Sequence, residues 1–495
     1  MSDKRCPFDH TPLTTNSGAP VVDNQNSMTA GKRGPLLAQD VWLNEKLANF
    51  VREVIPERRM HAKGSGAFGT FTVTNDISKY SCEKIFSEVG KKTEMFARFS
   101  TVAGERGAAD AERDIRGFAL KFYTDEGNWD LVGNNTPVFF LNDPMKFPDF
   151  IHSQKKNPRT NLPDPSAVFE YWANHPQSLH QMTILMSDRG IPKSLRHTNG
   201  YGSHTFSLWN NNGERFWVKW HFKTDQGVET LTNDEAATMD PAGAQKDLVE
   251  AIDQGNFPSW TVKVQIMSEA DAKDFPVNPF DLTKVWPHEL VPLQEIGTLE
   301  LNRNVDNYFA ETEQACFAPN NLVPGIGASP DKMLQGRLLA YQDAHRYRVG
   351  VNANQLPVNA AKCPVNHYQR DGAMAGMCPA HGAAAVQTSR VNYYPNDQIN
   401  DGAPVPNPAV AEPPMPVLES AWVARHGLAD DEDHYTQAGD LFRLMNDSQK
   451  GQLTTTIAGG LVHASESAQQ RMLAQFVQAD SDYAARIVSA METMR

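Results

Sequence analysis

The sequence is poor in the features that mark membrane, secreted and repetitive proteins. No stretch approaches the roughly 18 consecutive apolar residues that a membrane-spanning helix needs, and the first residues contain no apolar signal segment. No internal repeat is visible along the chain. These absences predict a cytoplasmic protein that has no membrane span.

Cysteine is also scarce. The five cysteines are an odd number, widely spread and without a Cys-x-x-Cys pair, at Cys6, Cys82, Cys316, Cys363 and Cys378. This pattern predicts free thiols in a reducing compartment. One alternative stays open, because Cys363 with His367 and Cys378 with His381 form two pairs of zinc-ligand type, separated by a segment rich in Gly, Ala and Met.

What the sequence does contain is typical of a large, loop-rich globular enzyme. Its 495 residues include 33 Gly and 32 Pro, and 21% of all residues are charged. The formal net charge of −13 favours solubility and argues against a surface that follows nucleic-acid phosphates. We therefore expect no nucleic-acid partner.

The hydrophobic periodicity predicts an arm, a helix and then a barrel. The first segment, residues 1–55, is expected to contain a polar arm and a helix. The arm comprises residues 1–35, and the helix runs from about Ala38 to Val54. Within 56–303 a helix is expected at Ser166–Trp172, and about eight alternating segments fit a closed antiparallel barrel. The clearest of these segments are Phe71–Val73, Met95–Phe99, Phe118–Tyr123, Phe216–Phe222 and Trp260–Ile266.

The rest of the chain is irregular and then helical. Residues 304–420 are rich in Pro and Asn and are interrupted by one helix, although so long an irregular stretch is unusual in a compact domain. Residues 421–495 return to helical patterning and predict a small helical domain. The expected fold class is α+β, an antiparallel eight-stranded β-barrel with an extended N-terminal arm, a long irregular segment and C-terminal helices.

An arginine and a tyrosine one helical turn apart suggest a metal ligand. Arg337 and Tyr341 share one face of the predicted helix, and a guanidinium stays charged at physiological pH. A positive charge beside the phenolic oxygen favours the ionised form, which is a ligand for Fe(III). The pentapeptide alone is explained more simply by an amphipathic helix with both residues on its surface.

Further motifs favour the metal ligand over the simpler explanation. They are Pro56-Glu-Arg-Arg-Met-His61-Ala-Lys-Gly64, Gly133-Asn134-Asn135-Thr136-Pro137-Val-Phe139-Phe140, Arg98-Phe-Ser-Thr-Val-Ala-Gly-Glu105 and Asn199-Gly-Tyr-Gly-Ser-His204. With the tyrosine helix they resemble the haem catalases, in the family's chain order, from about residue 35 to 400 and more loosely to the end. Tyr341 as proximal ligand comes from this resemblance, since tyrosine is the known haem ligand of catalases.

The resemblance implies both an activity and an assembly. It indicates a small-subunit, monofunctional catalase that disproportionates hydrogen peroxide through a ferryl intermediate and protects the cell from oxidative stress. It also implies haem b, with haem d left open, and a homotetramer in which residues 304–420 wrap over other subunits. His61, with an ordinary pKa near about 6.5, would move the peroxide proton, Asn134 would hydrogen-bond the peroxide, and Ser100 would orient the imidazole.

Other haem contacts follow from the same resemblance. Three arginines match positions that face the propionates, for which a cation is the expected partner: Arg58, Arg98 and Arg348. Three aromatic residues match the distal channel, although a barrel core would also bury them: Phe139, Phe140 and Phe147. Met60 lies beside His61 where the family more often has valine, and we expect its thioether to be oxidised before other methionines.

A second ligand, NADPH, is implied by seven matching positions: His180, Ser187, Arg189, Asn199, Lys223, Trp286 and His288. Arg189 and Lys223 supply the cations that a 2′-phosphate requires. One aromatic position of the family's site is Ile184 here, which removes a ring contact and leaves NADPH binding open. The same polar groups would also suit a solvated surface.

Two other functions stay open. Catalase-related haem proteins that convert fatty-acid hydroperoxides share the tyrosine and histidine but have shorter chains and wider apolar distal cavities. Comparing turnover of H2O2 with that of a lipid hydroperoxide distinguishes them. A haem-storage or NADPH-binding protein without activity would not need the paired His61 and Asn134.

Overall fold

Ten antiparallel strands form one sheet in the described part of the chain, residues 11–375, 390–397, 403–415, 423–427 and 432–494 of a computed structural model. Their bounds are β1 Gly64–Val73, β2 Lys92–Thr101, β3 Arg116–Thr124, β4 Gly127–Asn134, β5 Gly200–Tyr201, β6 Phe206–Trp209, β7 Arg215–Thr224, β8 Ser259–Ser268, β9 Gln294–Asn304 and β10 Ile326–Gly327. All five segments predicted to be strands lie within β1, β2, β3, β7 and β8.

The sheet closes on itself. Strands β1 to β5 pair in sequence, β7 pairs with β8 and β8 with β9, and β9 returns to β1. The short strands β5 and β6 both pair with β7, at Tyr201–His221 and Phe206–Val218, so they share one position of the ring on either side of residues 202–205. The eight positions of this ring form the closed antiparallel barrel that the periodicity predicted.

Glycines in β1 allow other groups to approach the strand closely. Gly64, Gly66 and Gly69 have GxGxxG spacing, but they lie inside a strand and not at a strand–helix turn, so they are not a dinucleotide fingerprint. A Cβ on Gly64 would lie 2.5 Å from the Arg98 guanidinium, and one on Gly69 would lie 2.1 Å from the Glu300 carbonyl oxygen. Side chains at these positions would push the neighbouring groups away.

The barrel interior is an apolar core rich in aromatic rings. Phe122 stacks on Trp129 with ring centroids 4.6 Å apart, and Phe99 stacks on Trp260 at 5.8 Å. Because successive side chains of a strand point to opposite faces, the residues beside Phe99 on β2 face the outside of the barrel. The outer face of β1 to β4 is therefore available for polar groups.

Helices follow and interrupt the strands, and several of them form a second core. They are α2 Phe147–Gln154, α3 Pro165–Ala173, α4 Leu179–Met186, α5 Asn233–Thr238, α6 Gly243–Asp253, α7 Glu269–Lys273, α8 Lys332–Arg348, α9 Thr436–Leu444, α10 Asp447–Leu461, α11 Glu466–Ala479 and α12 Ser481–Met494. The C-terminal helices α9 to α12 share this second core with α2 to α4 and with Phe139 and Phe140. The predicted helices at Ser166–Trp172, around Tyr341 and near the C-terminus are confirmed.

The chain divides into two compact units, Met1–Glu57 and Arg58–Arg495. In the first unit, helix α1 spans Val41–Phe50, shorter than the predicted Ala38–Val54. Asp40 begins it by accepting a hydrogen bond from Leu43 N, and Pro56 disfavours helical backbone just before it. Helix α1 buries none of its residues, and Phe50 is 67% exposed.

Two further expectations concern membranes and cysteine. Among the described residues, no helix combines the length and apolarity needed to cross a bilayer. Cys82 and Cys316 carry free thiols, whereas Cys6, Cys378 and His381 lie outside the described residues. The described ranges contain no group of three or more His, Cys, Asp or Glu residues arranged to hold a metal. The zinc alternative at Cys363, His367, Cys378 and His381 stays untested, because two of its four ligands lie outside those ranges.

Candidate active site

The sequence motifs come together between the outer face of β1 to β4 and helix α8. Asn134 ends β4 and pairs with Gly117 of β3. The ring of His61 lies directly over Gly117, since a Cβ there would be 2.7 Å from His61 Nδ1. Helix α8 contacts the same strands through Arg337, whose Nη2 donates to the Val132 carbonyl at 2.9 Å.

His61 is fixed by its backbone and by Ser100. Its φ of 61° lies in the left-handed region, which is uncommon for a residue with a side chain. The backbone N–H of His61 donates to the Val102 carbonyl at 3.1 Å, and Arg98 Nη1 donates to the His61 carbonyl at 3.0 Å. Nδ1 shares a 2.9 Å hydrogen bond with the Ser100 hydroxyl, which leaves Nε2 as the nitrogen available for chemistry.

The pKa of His61 differs from the value assumed from the sequence. Burial, together with the positive charges of Arg98 and Arg337, lowers the pKa to about 3. The expectation that His61 titrates near neutrality is therefore wrong. Its imidazole is neutral throughout the physiological range and is ready to accept a proton, and its protonated form is a strong acid.

Asn134 and three residues predicted to lie near it differ in how they are held. No described residue hydrogen-bonds to the side-chain amide of Asn134, so this group remains available to a ligand. Phe139 lies 6.2 Å, between ring centroids, from Phe147 at the start of α2, and Phe147 packs on the second core. Met60 also packs against that core, so these three residues combine a packing role with their predicted place beside the site.

Tyr341 ends a chain of four side chains. Arg337 Nη2 and Nε donate to the phenolic oxygen at 2.7 and 3.2 Å. Arg337 Nη1 donates to His204 Nε2 at 2.7 Å, which places the His204 proton on Nδ1, where it is donated to Asp331 at 2.7 Å. Two donors on one phenolic oxygen fix its position, and the oxygen of a tyrosine is a group that can ligate haem iron.

The three predicted propionate partners form one buried cluster. Glu313 is the one carboxylate within ion-pair distance of Arg58 and Arg348 among the described residues, and Arg98 has none. Burial lowers the pKa of each arginine, that of Arg98 to about 10. The Nε atoms of Arg98 and Arg348 are buried without a hydrogen-bond partner in the described chain. This surplus of cations fits a ligand that carries two carboxylates.

A second site is a cavity of about 370 Å³ beside β7. Five of the seven predicted NADPH contacts line it: Arg189, Asn199, Lys223, Trp286 and His288. His180 and Ser187 are not among its lining residues; His180 is buried in α4, and Ser187 accepts a hydrogen bond from Arg189 N. Lys219 and His221 add to the lining cations and imidazoles, and no carboxylate lines the cavity.

The sequence reasoning missed several residues of these sites. His204 lies in one of the motifs above without a predicted role, and Asp331 lies in none of them. Asp331 had a detectable signal, because an aspartate immediately before a helix is a typical N-cap, and here it accepts from Met333 N and Leu334 N. Gly117 and Glu313 gave no signal, since only the fold brings them to His61 and the arginines.

Comparison with known proteins agrees with these motifs. The family model described as Catalase matches residues 14–400, and that described as Catalase-related immune-responsive matches residues 429–491. The chain is 58% identical to "Catalase A" of Pseudomonas putida over 482 residues, which is 97% of this chain and 98% of that protein. It is 58% identical to "Catalase" of Aliivibrio fischeri over 474 residues, 95% and 96% of the two chains.

Solved structures give the same result. "Structure of a bacterial catalase" superposes with a TM-score of 0.89 at 42% identity, covering 99% of this chain and 98% of that one. "Catalase A from Saccharomyces cerevisiae" superposes with a TM-score of 0.88 at 41% identity, covering 97% and 99%.

The Gly117 contact generates a stability prediction. In Gly117→Ala the new Cβ would meet Ser100 Oγ at 2.4 Å and His61 Nδ1 at 2.7 Å. We expect the free energy of unfolding to fall by about 1–3 kcal/mol, the usual cost of overpacking, when measured by urea denaturation. Gly107→Ala is the matched control, because nothing lies within 4 Å of its Cβ. Equal stabilities of the two variants would contradict the close contact.

Proposed function

The chain belongs to the catalase family, and we propose that it disproportionates hydrogen peroxide at the site between His61 and Tyr341. Two molecules of peroxide give two of water and one of dioxygen. The observation that carries the assignment of residues is the position of His61, whose ring is held by Ser100 over Gly117, the strand partner of Asn134. We propose the small-subunit type, supported by the length of 495 residues, and a role against oxidative stress.

His61 moves the proton. Its Nε2 takes a proton from one oxygen of peroxide and returns it to the other, so that water is the leaving group when the O–O bond breaks. The neutral form that burial maintains is the form that starts this transfer. Asn134 donates a hydrogen bond to the peroxide and keeps it beside the imidazole.

The residues present fit haem. Tyr341 would ligate the iron through its phenolic oxygen, and the buried arginines Arg58, Arg98 and Arg348 would hold the propionates. Bound haem would supply the iron that accepts and returns the electrons exchanged between two peroxides. Arg337 donates two hydrogen bonds to the Tyr341 oxygen and so holds this oxygen in place for the iron.

NADPH is the proposed ligand of the cavity beside β7. Its support is the chemistry of the lining, with the cations Arg189, Lys219 and Lys223 and no carboxylate facing them. His221 Nδ1 is buried without a hydrogen-bond partner in the described residues. Ile184, at the aromatic position of the family's site, is buried in α4.

A homotetramer is the proposed assembly. The end of helix α1 and the residues just after it expose four apolar side chains by more than half: Leu47, Phe50, Val51 and Val54. The outer face of α8 likewise exposes Leu339 and Tyr347. Exposed apolar side chains that lie close together are typical of protein interfaces.

We also propose that the chain is organised in four segments, which are residues 1–55, 56–303, 304–420 and 421–495.

The assignment is tested by two variants with opposite effects on haem. His61→Ala should retain haem but lose oxygen evolution from H2O2 by about 10²–10⁴-fold, because only the proton transfer is lost. Tyr341→Phe should lose haem or change its ferric absorption spectrum, because the ligand oxygen is gone. Retention of more than about a tenth of the rate in the first variant, or an unchanged spectrum in the second, would refute the roles.

The lowered pKa of His61 predicts a flat pH profile. Since folding depresses this pKa to about 3, the neutral base persists as the pH falls through the ordinary value and is lost only near 3. An ordinary histidine would be about 97% protonated at about pH 5 and would slow the reaction about thirtyfold. We expect kcat/KM for oxygen evolution to stay constant between about pH 8 and about pH 5. A decline centred near 6.5 would show that His61 is solvated.

The oligomer is checked by light scattering. Burial of the exposed faces of α1 and α8 should give a species of four chains at micromolar concentration. Replacing Phe50 and Val51 together by serine should weaken the assembly, because both side chains are more than half exposed in the single chain. A stable 55.0 kDa monomer of the unaltered chain would exclude the proposal.

A further inference from the structure

Lys219 connects the two sites described above. It lies on β7, is 5% exposed and lines the cavity. Its Nζ donates to the Ser203 carbonyl at 2.9 Å and lies 5.5 Å from the centroid of the Trp286 ring. No described carboxylate lies within ion-pair distance of Nζ, although the negative charges of Asp331 and Asp281 act on it.

The carbonyl that Lys219 holds belongs to an unusual segment. Residues 202–205 interrupt the barrel position shared by β5 and β6, and Ser203 has a left-handed φ of 60°. His204 follows immediately and is hydrogen-bonded to Arg337, which donates to Tyr341. The segment is tied to its surroundings by Gly202 N, which donates to the Trp220 carbonyl, and by Ser203 Oγ, which donates to the Thr136 carbonyl.

Lys219 therefore acts on His204 in two ways. Through the Ser203 carbonyl it fixes the backbone that presents the imidazole to Arg337. Through its charge it attracts Asp331, the partner of His204 Nδ1. Lys219 is 5% exposed, so little solvent compensates its charge, and burial lowers its pKa to about 8. An anion in the cavity would compete for the same charge, since Coulomb interactions are strong in a poorly solvated site.

We propose that Lys219 is a positioning residue that connects the cavity to Tyr341, by holding residues 202–205 and with them His204 against Arg337. Occupation of the cavity by a phosphate-bearing ligand then changes the hydrogen bonds that Tyr341 receives. This proposal rests on the proposed function, in which Tyr341 ligates the haem iron.

The test uses the haem-loaded enzyme and a signal of the tyrosine ligand. Lys219→Met should keep its haem content but shift the ferric charge-transfer absorption band and alter the rhombic splitting of the electron paramagnetic resonance signal. Lys219→Arg, which keeps charge and donor, should restore both. Adding NADPH should shift the same signals in the wild type and leave them unchanged in Lys219→Met.

Lys223→Met is the matched control. Lys223 lies on the same strand and lines the same cavity, but its Nζ donates to Tyr201 Oη at 3.2 Å and not to residues 202–205. We expect this variant to weaken NADPH binding and to keep the wild-type ferric signals. If Lys219→Met fails to bind haem, Lys219→Gln, which lacks the charge, is measured in its place and is expected to shift the signals in the same way.

The outcomes separate this proposal from the function on which it rests. Wild-type signals in Lys219→Met or Lys219→Gln, or an equal shift in Lys223→Met, would overturn the role of Lys219. No response of the wild-type signals to bound NADPH would overturn the connection to the cavity. If Tyr341→Phe leaves the ferric signals unchanged, Tyr341 is not the ligand, and the proposed function fails first.

Discussion

The buried guanidinium group of Arg98 is the interaction on which the His61 side of the site depends. It needs Gly64 beside it, because a Cβ at that position would lie 2.5 Å away. Its Nη1 and Nη2 donate to the carbonyls of His61 and Ala62, which stabilises the left-handed backbone of His61. Its charge also helps to keep the imidazole neutral. The Arg98 guanidinium thus contributes to the position, the backbone conformation and the protonation state of His61.

The same cluster links folding to the bound group. A buried charge without a partner costs several kcal/mol, and Glu313 alone faces the cluster of Arg58, Arg98 and Arg348 among the described residues. Carboxylates that bind here would remove that cost. A ligand that binds the folded chain and not the unfolded chain stabilises the fold, so we expect the cluster to make the stability of the protein depend on haem.

Residue periodicity predicted the barrel because apolar and polar residues alternate in a strand that has one apolar face, as in β2 and β3. It predicted the contact of Arg337 with Tyr341 because helix spacing is local. It could not predict the pKa of His61, since burial arises from residues distant in sequence, and the ordinary value was wrong. Nor could it reveal Lys219, whose carbonyl partner Ser203 lies on a neighbouring strand position.

The site lies outside the barrel because the interior is filled by aromatic rings such as Phe122 and Trp129. A polar site on an outer face stays wet unless other chain covers it. The irregular segment after β9 provides that cover. It contains a π-helical turn at Tyr308–Glu313, in which the Tyr308 hydroxyl donates to the Gly64 carbonyl at 2.7 Å. The same turn brings Glu313 to the arginines. π-Helical turns are rare and frequent at functional sites. The long irregular segment is therefore part of the site, because it buries charges that the barrel alone would leave in water.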